Sequence, residues 1–569
     1  MKRLISLILA AILAASELIL PSSSSVPCVH GDLNGDGKIG AKDVQLLMQS
    51  VAGWQSGTDK NAADVNGDGI ADARDVSKMM KYVTGWRVLL GVEGLDALAE
   101  EMKKNVSEAA SPYEFAGVGK RNAKYYVSSD GDDFNDGLSP ETPLETIEAL
   151  TYYVKLKAGD IVLFRRGDVF RGKIQCVEGV TYSSYGEGDL PVINGSPFDG
   201  AVYGSWEETE FPNVYRYSET FDGDVGLITY NNAEGYIGKV CIDYINGWES
   251  ATIGQVIGTY LTKDMTFFQV DPKAPCALVK DPAEKGALYM YSEKGDPAER
   301  FDNLEFSTYG NIFNATNGVT VSHLHLAFGG SHGVGAGTCK NLKVEYCELS
   351  WIGGSIQHYE SGAPGKYVRY GNAVEIFGGC DNYTVDHCWI HDVYDAGVTH
   401  QYNAESDSPC IMQNVTYSDN LIERCVYSVE YFNRVSGAGE KGSGMKNILI
   451  RGNVCRCAGV GFGYAERRDR NARHIQGGWL GGTYSYDVEN YVIENNIFDR
   501  SEQLMFSIAS TDASNLPVMR GNTYIQYRGE RYGYYGTDYT LYYPFDDTVE
   551  KVIRETQGES DAEIYFVER

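Results

Sequence analysis

From residue 339 onward, apolar and polar residues alternate in short runs broken by Asn, Asp and Gly, and the runs repeat. Aligning CKNLKVEYCELSWIGG (from 339), CDNYTVDHCWIHDVYDAGV (380), QNVTYSDNLIERCVYSV (413), MKNILIRGNVCRCAGV (445) and VENYVIENNIFDRSEQL (488) brings an Asn to 341, 382, 414, 447 and 490. Six residues after each comes Cys347, Cys388, Asn420, Asn453 or Asn496. The steps of 41, 32, 33 and 43 residues describe coils of variable length, with loops inserted on one side. A strand of three to six residues buries its inner face only by stacking on the strand of the next coil. The recurring Asn and Cys are therefore read as structural ladders rather than ligands, and the chain as mainly β.

A further run from each coil can be superposed: NAVEIFGG (372), AGVTHQY (396), YSVEYFN (427) and GVGFGYAER (459). With Val374, Val398, Val429 and Val460 pointing inward, Glu375, Thr399, Glu430 and Gly461 form one outward column. Adjacent parallel strands lie about 4.8 Å apart, so the two glutamates, two coils apart, have backbones roughly 10 Å apart. Paired carboxylates facing one groove suit cleavage of a glycosidic bond, one protonating the leaving oxygen while the other serves as base or nucleophile. Asp392, Asp395 and His400, in HDVYDAGVTHQY, compete for these roles from the intervening coil. GYAERRDRNARH (463–474) sets Arg467, Arg468, Arg470 and Arg473 at the mouth of the column, where guanidinium groups can hold a sugar carboxylate bidentately. Arg467 and Arg468 are the substrate-binding candidates, with Tyr431 and Tyr464 as stacking platforms.

The first hundred residues follow another rule. DLNGDGKIGAKD (32–43) returns as DVNGDGIADARD (64–75), within units that repeat at an offset of 32 and each end in Gly-Trp. Oxygen donors fall at loop positions 1, 3, 5 and 12, as Asp32, Asn34, Asp36 and Asp43 and again as Asp64, Asn66, Asp68 and Asp75. Position 7, Lys38 or Ile70, offers a backbone carbonyl. Val44, Leu47, Met48 and Val51, like Val76, Met79, Met80 and Val83, recur at helical spacing, so one amphipathic helix follows each loop. Half an EF-hand twice, without the bidentate Glu at position 12, resembles the dockerin module of cellulosomal enzymes. The resemblance covers residues 28–90 and implies two Ca2+ ions and docking onto a cohesin of a scaffold protein. Loop positions 10 and 11, Ala41-Lys42 and Ala73-Arg74, would help to choose that cohesin.

Residues 1–25 carry Lys2 and Arg3, a short apolar run and then small polar residues, the pattern of a secretory signal, so an extracellular protein is expected. The net charge of −29, from 49 basic and 78 acidic residues, disfavours nucleic acid and anionic membrane as partners. Twelve cysteines in an exported chain suggest disulfides, but those in the coils occupy apolar repeat positions and read as mostly free, stacked thiols. Residues 91–120 read as a linker with a helix, 121–545 as the coil domain, and 546–569 as a C-terminal cap. Residues 195–310 break the rhythm and read as an inserted β-rich subdomain.

The opening of the coil domain, KYYVSSDGDDFNDGLSPETPLETIEAL, resembles the start of right-handed parallel β-helix proteins that act on polysaccharides. The tyrosine-rich insertion and the coils resemble β-helix hydrolases of the xylosidase, xylanase and fucosidase kind, while the polygalacturonase signatures are absent. The resemblance implies a glycoside hydrolase acting on plant cell-wall polysaccharide, a hemicellulose or a pectin side chain. A polysaccharide lyase, with Lys366, Arg369, Arg434 or the arginine cluster supplying the base, and a non-catalytic carbohydrate-binding β-helix are the alternatives.

Overall fold

The computed structural model describes residues 30–54, 59–66, 70–84, 89–241, 251–270, 272–273, 284–359, 367–467, 470–478, 487–538 and 540–569. The expected signal segment, Asp68 of the second loop, Lys366 and Arg468 lie outside them.

The chain is mainly β and is built on three ten-stranded sheets. It visits them in rotation, one strand in each per turn. Cys380–Asp386 lies in the first sheet, Trp389–Val393 in the second and Ala396–Glu405 in the third; Ile411–Ser418 then returns to the first. Every neighbouring pair shown in the coils is parallel, except that Tyr543–Pro544 closes the third sheet antiparallel to Arg531–Gly536. Apolar side chains from all three sheets meet in one interior, among them Val344, Val385, Tyr417, Ile450 and Ile493 from the first sheet and Val374, Val398, Val429 and Ile475 from the third. The helix Ile147–Tyr152 closes one end, burying Ile147, Ala149 and Leu150 against Val127 and Leu144.

Two ladders of Asn run through the turns, and they differ in role. Asn341, Asn382, Asn414, Asn447 and Asn490 all take left-handed backbone angles, φ +53° to +57°, a conformation Asn tolerates better than most residues. The amide of Asn382 donates to Asn341 at 2.9 Å, that of Asn447 to Asn414 at 3.1 Å and that of Asn490 to Asn447 at 3.1 Å. The buried ladder starts at Cys388, whose N–H donates to Asn420 Oδ1 at 2.9 Å. Asn420, Asn453 and Asn496 each donate backbone and side-chain N–H to the next Asn, ending at Asn522. Asn522 donates both to Glu559 Oε1, at 2.7 and 2.9 Å. Sharing each carbonyl between two donors satisfies turn amides that would otherwise be buried without partners. Apart from Cys241, the described cysteines are free thiols, and all but Cys457 are buried.

Seven strands between Trp206 and Thr308 form a separate, largely antiparallel sheet. It is fastened to the coil by a buried ionic knot. Asp224 accepts from Lys239 Nζ at 2.8 and 2.9 Å, from Arg369 Nη1 and from Ile356 N at 3.0 Å. The C-terminal segment, expected to be a cap, supplies one more coil strand: Glu563–Val567 pairs in parallel with Thr523–Tyr527. The helix Leu95–Glu108 lies on the outer face of the second sheet, its Leu95, Ala99 and Met102 covering Leu421, Val454 and Ile497.

The N-terminal repeats each run into the expected helix, Ala41–Val51 and Ala73–Val83. Asp32 turns its first loop inward, accepting from Gly35 N and Gly37 N at 2.8 Å. Gly35 and Gly37 sit at φ +73° and +79°, where a Cβ would strain the turn.

Candidate functional site

The column expected on the third sheet exists for its first three members and fails at the fourth. Glu375 pairs in register with Thr399, and Thr399 with Glu430. The next strand is Arg473–Gly477, so Gln476, not Gly461, lies beside Glu430. Residues 462–466 instead form a short helix, and Gly463 lets it lie on Tyr394, whose carbonyl oxygen a Cβ would meet at 2.3 Å. The buried Thr399 hydroxyl, between the two glutamates, has no hydrogen-bond partner.

Asp395 sits at the corner where the chain passes from the second sheet to the third. Its N–H donates to Gly371 O at 3.1 Å, and its own carbonyl accepts from Val426 N and Tyr427 N. Its carboxylate meets the Arg467 guanidinium in an ion pair. Arg467 reaches it from the end of the 462–466 helix and lies over the Tyr394 and Tyr427 rings, 5.8 and 5.5 Å from their centroids. Glu375 is held by two amides: the side chain of Asn372 donates to Oε2, as does Gln401 Nε2 at 2.9 Å. Asn372 Oδ1 in turn accepts from Ala396 N at 2.8 Å, tying the corner to the column.

The carboxyl of Glu430 is strongly perturbed. Burial pushes its carboxyl well above the usual range, the negative charges of Asp395 and Glu375 push the same way, and Arg467 and Arg473 oppose them. Two phenols close the walls. Burial and the nearby Asp395 and Glu430 push Tyr370 up to about 12, and burial also raises Tyr427. Glu466 carries a carboxyl raised to about 7 by burial, while the Lys239 N–H, at 2.9 Å, favours its ionised form. This glutamate links the helix bearing Arg467 to the inserted sheet. Next to Glu375 opens a cavity of about 600 Å3 lined by Lys173, Asn311, Asn314, His332, Gln357 and Phe377, among others.

Four expected site residues, His400, Tyr431, Asp392 and Tyr464, are placed elsewhere. His400 is fully buried in the coil interior, with Nδ1 2.9 Å from Tyr417 Oη and its ring stacked on Tyr431 at 5.8 Å. Burial lowers it to about 3. Tyr431 is interior too, 4.7 Å from Tyr491 between centroids, and cannot serve as a sugar platform. Each lies one residue past an outward column member, on the inward side of the strand: His400 follows outward Thr399 and Tyr431 follows outward Glu430, so strand alternation accounts for both. Asp392 belongs to another cluster, bonded to His391 Nδ1 at 2.8 Å and to Arg424 Nη2 at 2.7 Å. Tyr464 is partly buried against Ala396, Val426 and Tyr427. Among the lyase-base candidates, Arg369 is committed to Asp224 and buried. Sequence reasoning missed Asn372 and Tyr370, because loop spacing carries no signal for residues recruited by a corner, and it missed Gln401, although alternation along its own strand sets it outward two residues past Thr399.

The oxygen-rich loops suit a hard cation, with Asp32, Asn34, Asp36, Asp43 and the Lys38 carbonyl in the first, and Asp64, Asn66, Asp75 and the Ile70 carbonyl in the second. Asp43 and Asp75 are buried and accept loop amides, Asp43 from Leu33 and Asn34 and Asp75 from Asn66, all within 3.0 Å. Ala41, Lys42, Ala73 and Arg74 are exposed. At another corner of the coil, Asp386, His387 and Asp419 bring ligand atoms within 4.8 Å of one another.

Residues 30–84 match the dockerin type I domain family, so this part of the chain is a dockerin domain. For the body, solved structures supply likenesses only. A structure described as a glycoside hydrolase is 8% identical with TM-score 0.41, covering 73% of this chain and 89% of that one. The complex of XylC with xylose is 13% identical with TM-score 0.37, covering 71% and 68%. A rhamnogalacturonan lyase is 10% identical with TM-score 0.37, covering 72% and 76%. With TM-scores below 0.5, these likenesses leave the activity to be argued from the site. No curated protein matches the chain.

Proposed function

We propose that the protein is a secreted, cellulosomal glycoside hydrolase acting on plant cell-wall polysaccharide, a hemicellulose or a pectin side chain, on a right-handed parallel β-helix. Rotation of the chain through three parallel sheets supports the helix, and the near-universal hand of parallel crossovers supports its sense. The observation that carries the activity is the cluster of Glu430, Asp395 and Glu375, in which neighbouring carboxylates and burial hold a proton on Glu430 while Asp395 pairs with Arg467. Carboxylates whose environments differ in this way divide the labour of glycoside cleavage. Glu430 protonates the departing glycosidic oxygen. Asp395 acts as base or nucleophile at the anomeric carbon. Glu375, oriented by Asn372 and Gln401, holds a sugar hydroxyl or the water. The dockerin, with two Ca2+ ions, seats the enzyme on a scaffold cohesin through Ala41, Lys42, Ala73 and Arg74.

The test is product analysis on xylan, arabinoxylan, xyloglucan, pectin and rhamnogalacturonan, following reducing ends and the ultraviolet absorbance of unsaturated uronates together. New reducing ends without absorbance, lost in Glu430→Gln, are expected. Absorbance rising with the cuts would mean elimination and overturn the hydrolase. Binding without cuts would leave a carbohydrate-binding body.

A further inference from the structure

The two dockerin repeats superpose at an offset of 32, so Leu46 of the first corresponds to Lys78 of the second. A leucine on an amphipathic helix and a lysine at the same place ask for different surroundings. Lys78 has unusual ones: its side chain is only 5% exposed although it lies on a domain surface. Its ammonium meets the carboxylate of Glu563 and donates to Tyr565 Oη at 2.8 Å, with the Tyr565 ring centroid 5.4 Å away. Glu563 and Tyr565 belong to the last strand of the coil, nearly 500 residues away in sequence. The same Tyr565 hydroxyl approaches Val65 O at 3.5 Å, inside the second calcium loop. Its ring also packs in the apolar cluster formed by Leu89, Leu95, Ala99 and Met102 against the second sheet.

We propose that the dockerin domain is latched to the flank of the coil through Lys78, so that the body and its docking domain meet a cohesin as one rigid piece. In the closed latch the Lys78 ammonium is out of water and answered by Glu563, so removing Glu563 leaves a buried charge without its counter-ion and favours opening. The helix Leu95–Glu108 shortens the path between the two domains and is itself glued to the coil, which leaves little free linker to compete with the latch. Because Leu46 replaces the lysine in the first repeat, the pseudo-symmetric domain can close on the body in one way only. The closed latch leaves Ala41, Lys42, Ala73 and Arg74 exposed, so it is compatible with docking. The identity of the partner as a cohesin rests on the proposed function; the latch does not.

The experiment compares the full chain with Ca2+, the body-side variant Glu563→Ala and the variant Lys78→Leu by small-angle X-ray scattering and amide hydrogen exchange. Glu563→Ala leaves the dockerin sequence intact, so an opened latch is not confused with an unfolded loop. The wild type is expected to scatter as one compact particle. Glu563→Ala should enlarge its maximum dimension and speed exchange in Ala73–Val83 by about tenfold, the scale of one hydrogen bond to a charged group. The double variant Lys78→Glu/Glu563→Lys should restore the compact profile. A wild type that scatters as two independently moving bodies, or a Glu563→Ala chain identical to it in both readouts, would overturn the latch. Neither readout needs a cohesin, so a chain that binds none would count against the docking assignment alone.

Discussion

Replacing Glu430 by Gln keeps the volume of the side chain and its column neighbours Thr399 and Gln476 but removes the proton that cleavage needs. General acid catalysis contributes about 10²–10⁴-fold, which at 1.36 kcal/mol per decade is about 2.7–5.4 kcal/mol of transition-state stabilisation. The loss should appear in kcat/KM on the natural polysaccharide. It should shrink to within about tenfold on an aryl glycoside of the same sugar, whose leaving group needs little protonation. Stability should move the other way. In the wild type the folded chain holds the Glu430 proton more tightly than the unfolded chain does, because burial and the charges of Asp395 and Glu375 raise its folded pKa. As pH rises above the unfolded value, the unfolded chain therefore gains by ionising first, and the folded state loses stability until its own raised pKa is passed. Glu430→Gln removes that loss, so its Tm should exceed the wild type's at neutral and alkaline pH and converge with it in acid. Equal losses on both substrates together with a lower Tm would make Glu430 a structural residue and refute the assignment.

Asp224→Ala should cost about 3–5 kcal/mol, since it leaves Lys239 and Arg369 buried without their counter-ion; chemical denaturation measures it, and a cost under about 1 kcal/mol would mean that the knot is solvated. Asn453→Ala interrupts the buried ladder between Asn420 and Asn496 and leaves Asn420 amides unanswered, which should lower stability by about 1–3 kcal/mol in the same assay. Chelation of Ca2+ should abolish binding to cohesin and melt Ala41–Val51 and Ala73–Val83, read as lost helical dichroism, while the coil retains its thermal transition.

The repeat itself was legible because a coil cannot bury its inner face without recurring apolar positions, and its turn residues recur with them. Glu375, Thr399 and Glu430 could be aligned for that reason, and the inward places of His400 and Tyr431 follow from the same alternation. The loops of the dockerin were legible because a hard cation demands oxygen atoms at set spacings. Gly461 was misplaced where an insertion broke the repeat: nothing in GVGFGYAER reveals that its residues leave the strand for a helical turn that carries Arg467 to Asp395.

The order of residues by itself determined the periodic parts of this protein, the strands, ladders and oxygen-rich loops, because each is enforced by neighbours a fixed number of positions away. Only the tertiary structure decided which acids share a site. Asp395 and Arg467, 72 residues apart, meet across a corner. Asp224, Lys239 and Arg369 bind an insertion to the coil, and Lys78 finds Glu563 at the far end of the chain. Burial and the charges it brings together set the protonation of Glu430, and neither can be read along the chain, because the field at a carboxyl depends on distance in space rather than on separation in sequence.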